Sequence, residues 1–265
     1  MLAFSTRITA MKPETGGTHA GLYRLLAWSS PAFPIGAFSY SHGLEADVAI
    51  PGSNPESAIH DRASLQQWVA AIVLRGSGRI DADILRDAYR AAERGAADEL
   101  ADANHRGLAY RATAELALES GQQGEAFLRA WQGAWLAAPH PGVLPARGES
   151  VSDAPTRTGE GLLPQAPVCH AATLGAAAAS AGITLEDALL AYLQSFAGNL
   201  VSAGIRLGII GQTDGQRILA ALEPEIVAAV GAAKNRSPAE FGGATFAADI
   251  GSMAHETQYT RLFRS

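Results

Sequence analysis

The chain has 265 residues, is 48% hydrophobic but only 7% aromatic, and carries a formal net charge of −6. With its positive charges spread rather than clustered, that balance excludes an ordinary nucleic-acid-binding face, and the length suffices for a core that needs no metal or disulfide staple. One cysteine, Cys169, excludes an internal disulfide and points to a reducing compartment.

Residues 1–20 hold no apolar run long enough for a signal-peptide core and read as a mobile leader. From Leu25 to Glu45, LLAWSSPAFPIGAFSYSHGLE sets Pro31, Pro34 and Gly36 among Trp28, Phe33, Phe38 and Tyr40. Proline pushes its predecessor toward extended geometry, so Ser30 and Phe33 are predicted to be non-helical. The entropy of ordering such a rigid aromatic stretch must be offset by burial or docking. A short helix is predicted over 41–48, stopped by Pro51-Gly52. Ser64 and Gln67 have capping-box spacing, and Leu65, Trp68, Val69, Ile72 and Val73 recur at helical spacing before Gly76 and Gly78. Asp81 or Asp83 is expected to cap the next helix, with Ile84, Leu85, Ala88 and Ala92 on one face and Gly95 as its stop. A long helical region over 97–120 ends at Gly121, and Phe127, Leu128, Trp131 and Trp135 form the stripe of another over 125–137.

Residues 139–165 are rich in Pro, Gly, Ser and Thr and read as a long surface loop, either between domains or inserted in one bundle. Pro167 is placed to begin a helix that Gly182 stops. Thr184 and Asp187 signal another start, followed by the stripe Leu185, Leu189, Tyr192, Leu193 and Phe196. The segment 199–217 is dense in small residues, a pattern that admits a close backbone approach. Thr213 or Asp214 is expected to cap a short helix through Leu222, and Pro224 to start the next. No strand alternation appears. The expected fold class is all-α, a single helical-bundle domain of about ten helices with an irregular insertion near 139–165. No uninterrupted apolar stretch approaches membrane-span length, so a soluble cytoplasmic protein is expected.

The search for chemistry finds little. His255-Glu256 begins a zinc-protease pattern, but Tyr259 stands where the second histidine belongs. Cys169 and His170 are adjacent, so on a helix they point about 100° apart and read as a buried thiol beside a partly exposed imidazole. His42 reads as a hydrogen-bonding structural histidine. Arg206, Arg217, Arg261 and Arg264 lie in apolar, small-residue surroundings and suit either internal ion pairs or an interface. Met253, Tyr259, Leu262 and Phe263 give the tail large apolar groups, which pack on the bundle or face a partner.

Three segments carry a resemblance. LLAWSSPAFPIGAFSYSHGLE, AYLQSFAGNLVSAGIRLGIIGQTDGQRILAALEP and DIGSMAHETQYTRLFRS, in this order and spacing, resemble the UreF family of urease accessory proteins. The resemblance spans about 22–265 and leaves out the leader and the loop 139–165. It implies an all-helical homodimer that joins UreD (UreH in some organisms) and the GTPase UreG on apo-urease. There it would assist GTP-dependent nickel insertion, without catalysis, a cofactor or a resident metal of its own. On the matching motifs, 249–265 is expected to be a docking segment, with Glu256, Gln258, Tyr259, Arg261, Leu262, Phe263 and Arg264 at the partner interface. Phe38, Ser39, Tyr40, His42 and Glu45 match the first motif and would line a cavity between helices or face a partner. Asn199, Arg206, Gln212, Asp214 and Arg217 match the second and would face the dimer mate or the GTPase. Two other readings stay open: direct GTPase activation by Arg206, Arg217 or Arg261, and a metal-binding enzyme built on His255 and Glu256.

Overall fold

The computed structural model describes residues 18–48, 59–136 and 167–265. The expectations for most of the leader, for the Pro51-Gly52 turn and for the loop 139–165 lie outside these residues. In chain order the helices are α1 (Thr18–Trp28), α2 (Leu44–Asp47), α3 (Arg62–Arg75), α4 (Ser77–Arg94), α5 (Ala97–Ala109), α6 (Ala114–Trp131), α7 (His170–Ser180), α8 (Leu185–Arg206), α9 (Gln212–Asn235) and α10 (Phe246–Glu256). A 3-10 turn, Ala37–Ser39, precedes α2, and a π turn, Gln132–Leu136, closes α6. Among the described residues there is no strand, only an isolated bridge between Val48 and Ile59. The fold is all-α, as the patterning predicts.

The centre is α7, HAATLGAAAAS, whose alanines from Ala171 to Ala178 are buried. A helix apolar all round is a core helix. Its small side chains let neighbours come to backbone distance: a Cβ at Gly175 would lie 2.4 Å from the Leu85 carbonyl oxygen of α4, and one at Gly124 of α6 would lie 2.0 Å from that of Val168. Around this centre pack Ile84, Leu85 and Ala88 of α4, Phe127, Leu128 and Trp131 of α6, and Leu189, Leu193 and Leu200 of α8. Of the described helices, α8 alone is long and apolar enough to cross a membrane, and half of that stretch is buried inside the fold.

Several boundaries depart from the sequence reading, most of them for a tertiary reason. The capping box of α3 is Asp61 and Ser64, not Ser64 and Gln67: Ser64 N–H donates to Asp61 Oδ1 at 2.8 Å, and Asp61 N–H donates to Ser64 Oγ at 3.1 Å. Gly76 does end α3, but Gly78 lies inside α4, where a Cβ would strike the Val73 backbone at 2.4 Å. Neither Asp81 nor Asp83 caps α4, because both carboxylates are buried and taken by tertiary partners. Arg111 Nη2 and Tyr192 Oη donate to Asp81 at 2.5 and 2.8 Å, and Arg86 and Arg236 pair with Asp83 at 3.0 and 2.7 Å.

The region 97–120 is two helices. The chain breaks at 110–113, where Arg111 turns inward to Asp81 and Thr113 caps α6 by accepting from Leu116 N–H. Gly121 therefore sits inside α6 rather than ending a helix. Pro167 does not begin α7. Residues 167–169 stay outside it, held by Asn104, which donates to the Pro167 carbonyl at 3.1 Å and accepts from Cys169 N–H at 2.8 Å. Gly211 precedes α9 in place of a Thr213 or Asp214 cap, and α9 runs unbroken through Pro224. The hydrogen bond that proline lacks belongs to the carbonyl of Ala220, an exposed residue.

The central contact makes opposite forecasts for two helical glycines. Gly175→Ala is expected to lower the urea-unfolding free energy by about 1–3 kcal/mol, since backbone and not a flexible side chain must yield. Gly231→Ala, where an added Cβ meets nothing within 4 Å, is expected to gain up to about 1 kcal/mol from helix propensity.

Candidate functional site

The aromatic segment after α1 is buried at its start and exposed at its end. Trp28 meets Phe127 edge-on at 6.0 Å, and Phe33 meets it at 5.1 Å. Gly36 takes a left-handed conformation (φ 71°) that starts the 3-10 turn, where Phe38 points outward. His42 (φ 59°) and Gly43 (φ 82°) then reverse the chain into α2. Gly43 has a second constraint: a Cβ there would lie 2.8 Å from the Ser252 backbone nitrogen of α10. On the same interface a Cβ at Gly251 would lie 2.2 Å from Asp47 Oδ1. The first and third motifs thus meet at near backbone distance.

Above this contact the tail returns across α2 and is held by its main chain. Glu45 accepts from Leu262 N–H at 2.7 Å and Phe263 N–H at 2.9 Å, and its Oε2 lies 3.2 Å from His255 Nε2. The other His255 nitrogen is 2.6 Å from Glu115, which also pairs with Arg261. Arg264 N–H donates to the Ser39 carbonyl at 2.9 Å. The Ser265 main-chain oxygen accepts from Ser41 N–H at 2.6 Å and Ser41 Oγ at 2.5 Å, and Ser265 Oγ donates to Glu119 at 2.8 Å. Phe263 is buried with the Arg206 guanidinium 4.1 Å from its ring centroid, a cation–π pair. Tyr40 Oη and Arg264 Nη1 share Gln122 Oε1.

Beside the anchored tail lies a cavity of about 310 Å³ between the aromatic segment and α4, α6, α7 and α8, with His42, Glu119, His170 and Asn199 in its wall. Several outward side chains of α10 and the tail are large and apolar. Phe246, Ile250 and Met253 stand at i, i+4 and i+7 on the outer face of α10, and Tyr259 and Leu262 follow in the tail; all five are exposed.

The residues named from the motifs fall into three groups, with Asn199 apart in the cavity wall. Tyr40, His42, Glu45, Glu256 and Phe263 are buried or half-buried in the anchor, joined by Arg206, Arg261 and Arg264 at its edge. Glu256 accepts from Glu115 N–H, and Gln258 donates to the Thr260 carbonyl. Phe38, Tyr259 and Leu262 face outward. Gln212, Asp214 and Arg217 belong to a separate exposed turn, where Asp214 pairs with Arg217 at 2.8 Å and with Arg62 at 3.7 Å. Sequence reasoning missed Ser41, Glu115, Glu119 and Gln122, whose partners lie 82 to 224 residues away and leave no local spacing.

Among the described residues no three His, Cys, Asp or Glu side chains are grouped to hold a metal ion. His255 is committed to two carboxylates, so His255-Glu256 builds no zinc-protease site. Burial pushes the Cys169 thiol up to about 11 and the His170 imidazole down to about 4, which makes the one inert and keeps the other neutral. The three arginines considered for GTPase activation are each engaged: Arg206 on Phe263, Arg217 on Asp214 and Arg261 on Glu115.

The profile of the UreF family matches residues 59–223. Over 253 residues the chain is 39% identical to a urease accessory protein UreF of Granulibacter bethesdensis, covering 96% of this chain and 98% of that one. It is 42% identical over 252 residues to one of Azorhizobium caulinodans, covering 95% and 98%. For one of Rhodopseudomonas palustris the identity is 40% over 258 residues, covering 96% and 97%.

Two forecasts come from the anchor. Glu45→Ala leaves two amide donors and His255 without their shared acceptor, and is expected to cost about 2–4 kcal/mol. Limited proteolysis should then cut within 257–265 well before the wild type does. Asp47, under α10, has its carboxyl raised to about 6 by burial, against the Trp68 Nε1 hydrogen bond. A folded pKa above the unfolded value of about 3.9 stabilises fully below about pH 4 and is lost as pH rises through about 6. Asp47→Asn should therefore gain on the wild type in urea titrations as pH rises from 4 to 7, and a constant difference would refute the assignment.

Proposed function

The chain belongs to the UreF family of urease accessory proteins, and from that premise we propose that it is a non-catalytic scaffold in urease maturation. It acts in the cytoplasm as a homodimer. It joins a UreD-type accessory protein to the GTPase UreG on apo-urease, where nickel, as cargo, is inserted with GTP hydrolysis. The family is named for an accessory and not a catalytic role, and the described residues group no metal ligands.

The observation that carries the reading is the division of the third motif. Its tail main chain is held by Glu45, Ser41 and Ser39 and Phe263 is buried, while Ile250, Met253, Tyr259 and Leu262, with Phe246 just ahead of the motif, are exposed. A large apolar face on a pre-ordered backbone binds without the entropic cost of ordering a tail. We assign this face to the UreD-type partner. The exposed turn of Gln212, Asp214 and Arg217 is assigned to the dimer mate or the GTPase.

Binding and folding separate cleanly on this face. Ile250→Asp and Met253→Asp are expected to weaken capture of the UreD-type partner by about tenfold or more, since buried interface anchors commonly exceed about 1.4 kcal/mol. Their melting temperatures should stay within about 2 °C of the wild type, as for other surface changes. Undiminished capture in co-purification by both variants would reject the assignment.

A further inference from the structure

The chain between α9 and α10 lies along α4 and is held there by its main chain. Arg79, Arg86 and Arg90 share one face of α4 and donate to five carbonyls at the end of α9 and beyond it. Arg90 donates to Lys234 at 2.8 Å, and Arg86 to Ala233 at 2.6 Å and Arg236 at 3.2 Å. Arg79 donates through Nε to Gly242 at 2.9 Å and through Nη2 to Glu240 at 2.8 Å. At the end of α9 these guanidiniums replace the intrahelical partners that the last carbonyls lack. Farther on, Ala244 N–H donates to the Arg75 carbonyl at 2.8 Å, and a Cβ at Gly243 would lie 2.7 Å from that oxygen. The segment thus returns to the corner between α3 and α4, where a Cβ at Gly76 would lie 2.5 Å from Thr245 Oγ1 and α10 begins.

This attachment matters because α10 has little else to fix its start. Its buried residues are Ala248, Gly251, Ser252 and His255, three of them small, so apolar burial holds it weakly. Its inner neighbour α2 is only 4 residues long. Thr245, the residue before it, supplies no side-chain cap. His255 and the tail secure the far end, which leaves the near end to the segment along α4. In that segment Phe241 meets Tyr110 at 4.7 Å and Arg106 at 5.3 Å, while Ser237, Pro238, Ala239 and Glu240 are exposed. With so little burial, hydrogen bonds carry its order. Arg86 also pairs with the buried Asp83 and belongs to the core. Arg79 is the arginine that reaches the last part of the segment, and its planar fork spans two carbonyls, a geometry a lysine does not match.

We infer that Arg79 is a positioning residue for α10. Acting through the main chain of Glu240 and Gly242, with Gly243 seated against the Arg75 carbonyl, it fixes where the helix starts. It thereby sets the direction in which the exposed row Phe246, Ile250 and Met253 is presented. That this row meets a partner rests on the assignment of the face made above, whereas the placement of the helix does not.

Amide hydrogen exchange of the full chain, read beside capture of the UreD-type partner, tests this. Arg79→Ala is expected to speed exchange over 241–250 by about tenfold or more, as the loss of two charge-assisted hydrogen bonds implies, with exchange in the core helix α7 unchanged. Capture should weaken by about threefold or more, because the face is no longer pre-ordered. Arg79→Lys keeps the charge without the fork and should recover only part of both. Gly243→Ala presses a methyl against the Arg75 carbonyl and should loosen the same residues with Arg79 intact; it decides the matter if Arg79→Ala does not fold. Unchanged exchange over 241–250 in the folded variants, loosening shared equally by α7, or full recovery in Arg79→Lys overturns the inference. So does full capture by Arg79→Ala where Ile250→Asp loses it. Full capture by both variants rejects the docking assignment instead, and the exchange pattern then decides the placement of α10 by itself.

Discussion

The approach of α7 to α4 and α6 is the constraint from which the rest of the molecule is laid out. Alanines along α7, with Gly175 on it and Gly124 facing it, bring three helices to backbone contact. Close packing at that distance has no slack, because even one added methylene must displace main chain. It places the second turn of α4 deep in the core, which is why Asp81 and Asp83 are buried there. Each buried carboxylate then needs its own cation, and the partners come from distant places: Arg111 from the α5–α6 corner, Arg236 from the end of α9. The central contact thus decides where a helix breaks and where another ends.

The same frame positions the C-terminal anchor. With α6 and α8 held by α7, Glu115, Glu119 and Gln122 of α6 and Arg206 of α8 present fixed polar groups to whatever crosses α2. The tail meets them through the side chains of His255, Arg261, Phe263, Arg264 and Ser265, and meets Glu45, Ser41 and Ser39 through its main chain. Backbone hydrogen bonds of this kind order a segment without consuming its side chains. Tyr259 and Leu262 remain outward because Leu262 N–H and Phe263 N–H satisfy Glu45. Inward backbone and outward side chains are two aspects of one arrangement.

Much of this was legible in the chain, and the limits were physical. The all-α class, the stripes of α3, α4 and α8, the Thr184 cap and the Gly95 and Gly182 stops depend on contacts within a few residues, which sequence spacing records. The first and third motifs pack against each other at Gly43 and Ser252. What they could not convey was sign: Phe263 faces in and Leu262 faces out, one residue apart, and each is equally apolar in the sequence. Gln212, Asp214 and Arg217 shared a motif with Asn199 and Arg206 but lie on a separate exposed turn.

By itself the sequence determined the composition of the parts: helices, their local caps, a rigid aromatic segment, a family, and the lack of any grouped motif for catalysis. Tertiary structure alone decided which polar residues are paired across the fold. Asp81 looks like a cap until Arg111 and Tyr192 reach it, and Pro167 looks like a helix start until Asn104 holds it outside. The reason is that a hydrogen bond or ion pair gains its value from burial, and burial is a property of the assembled helices rather than of neighbours in the chain.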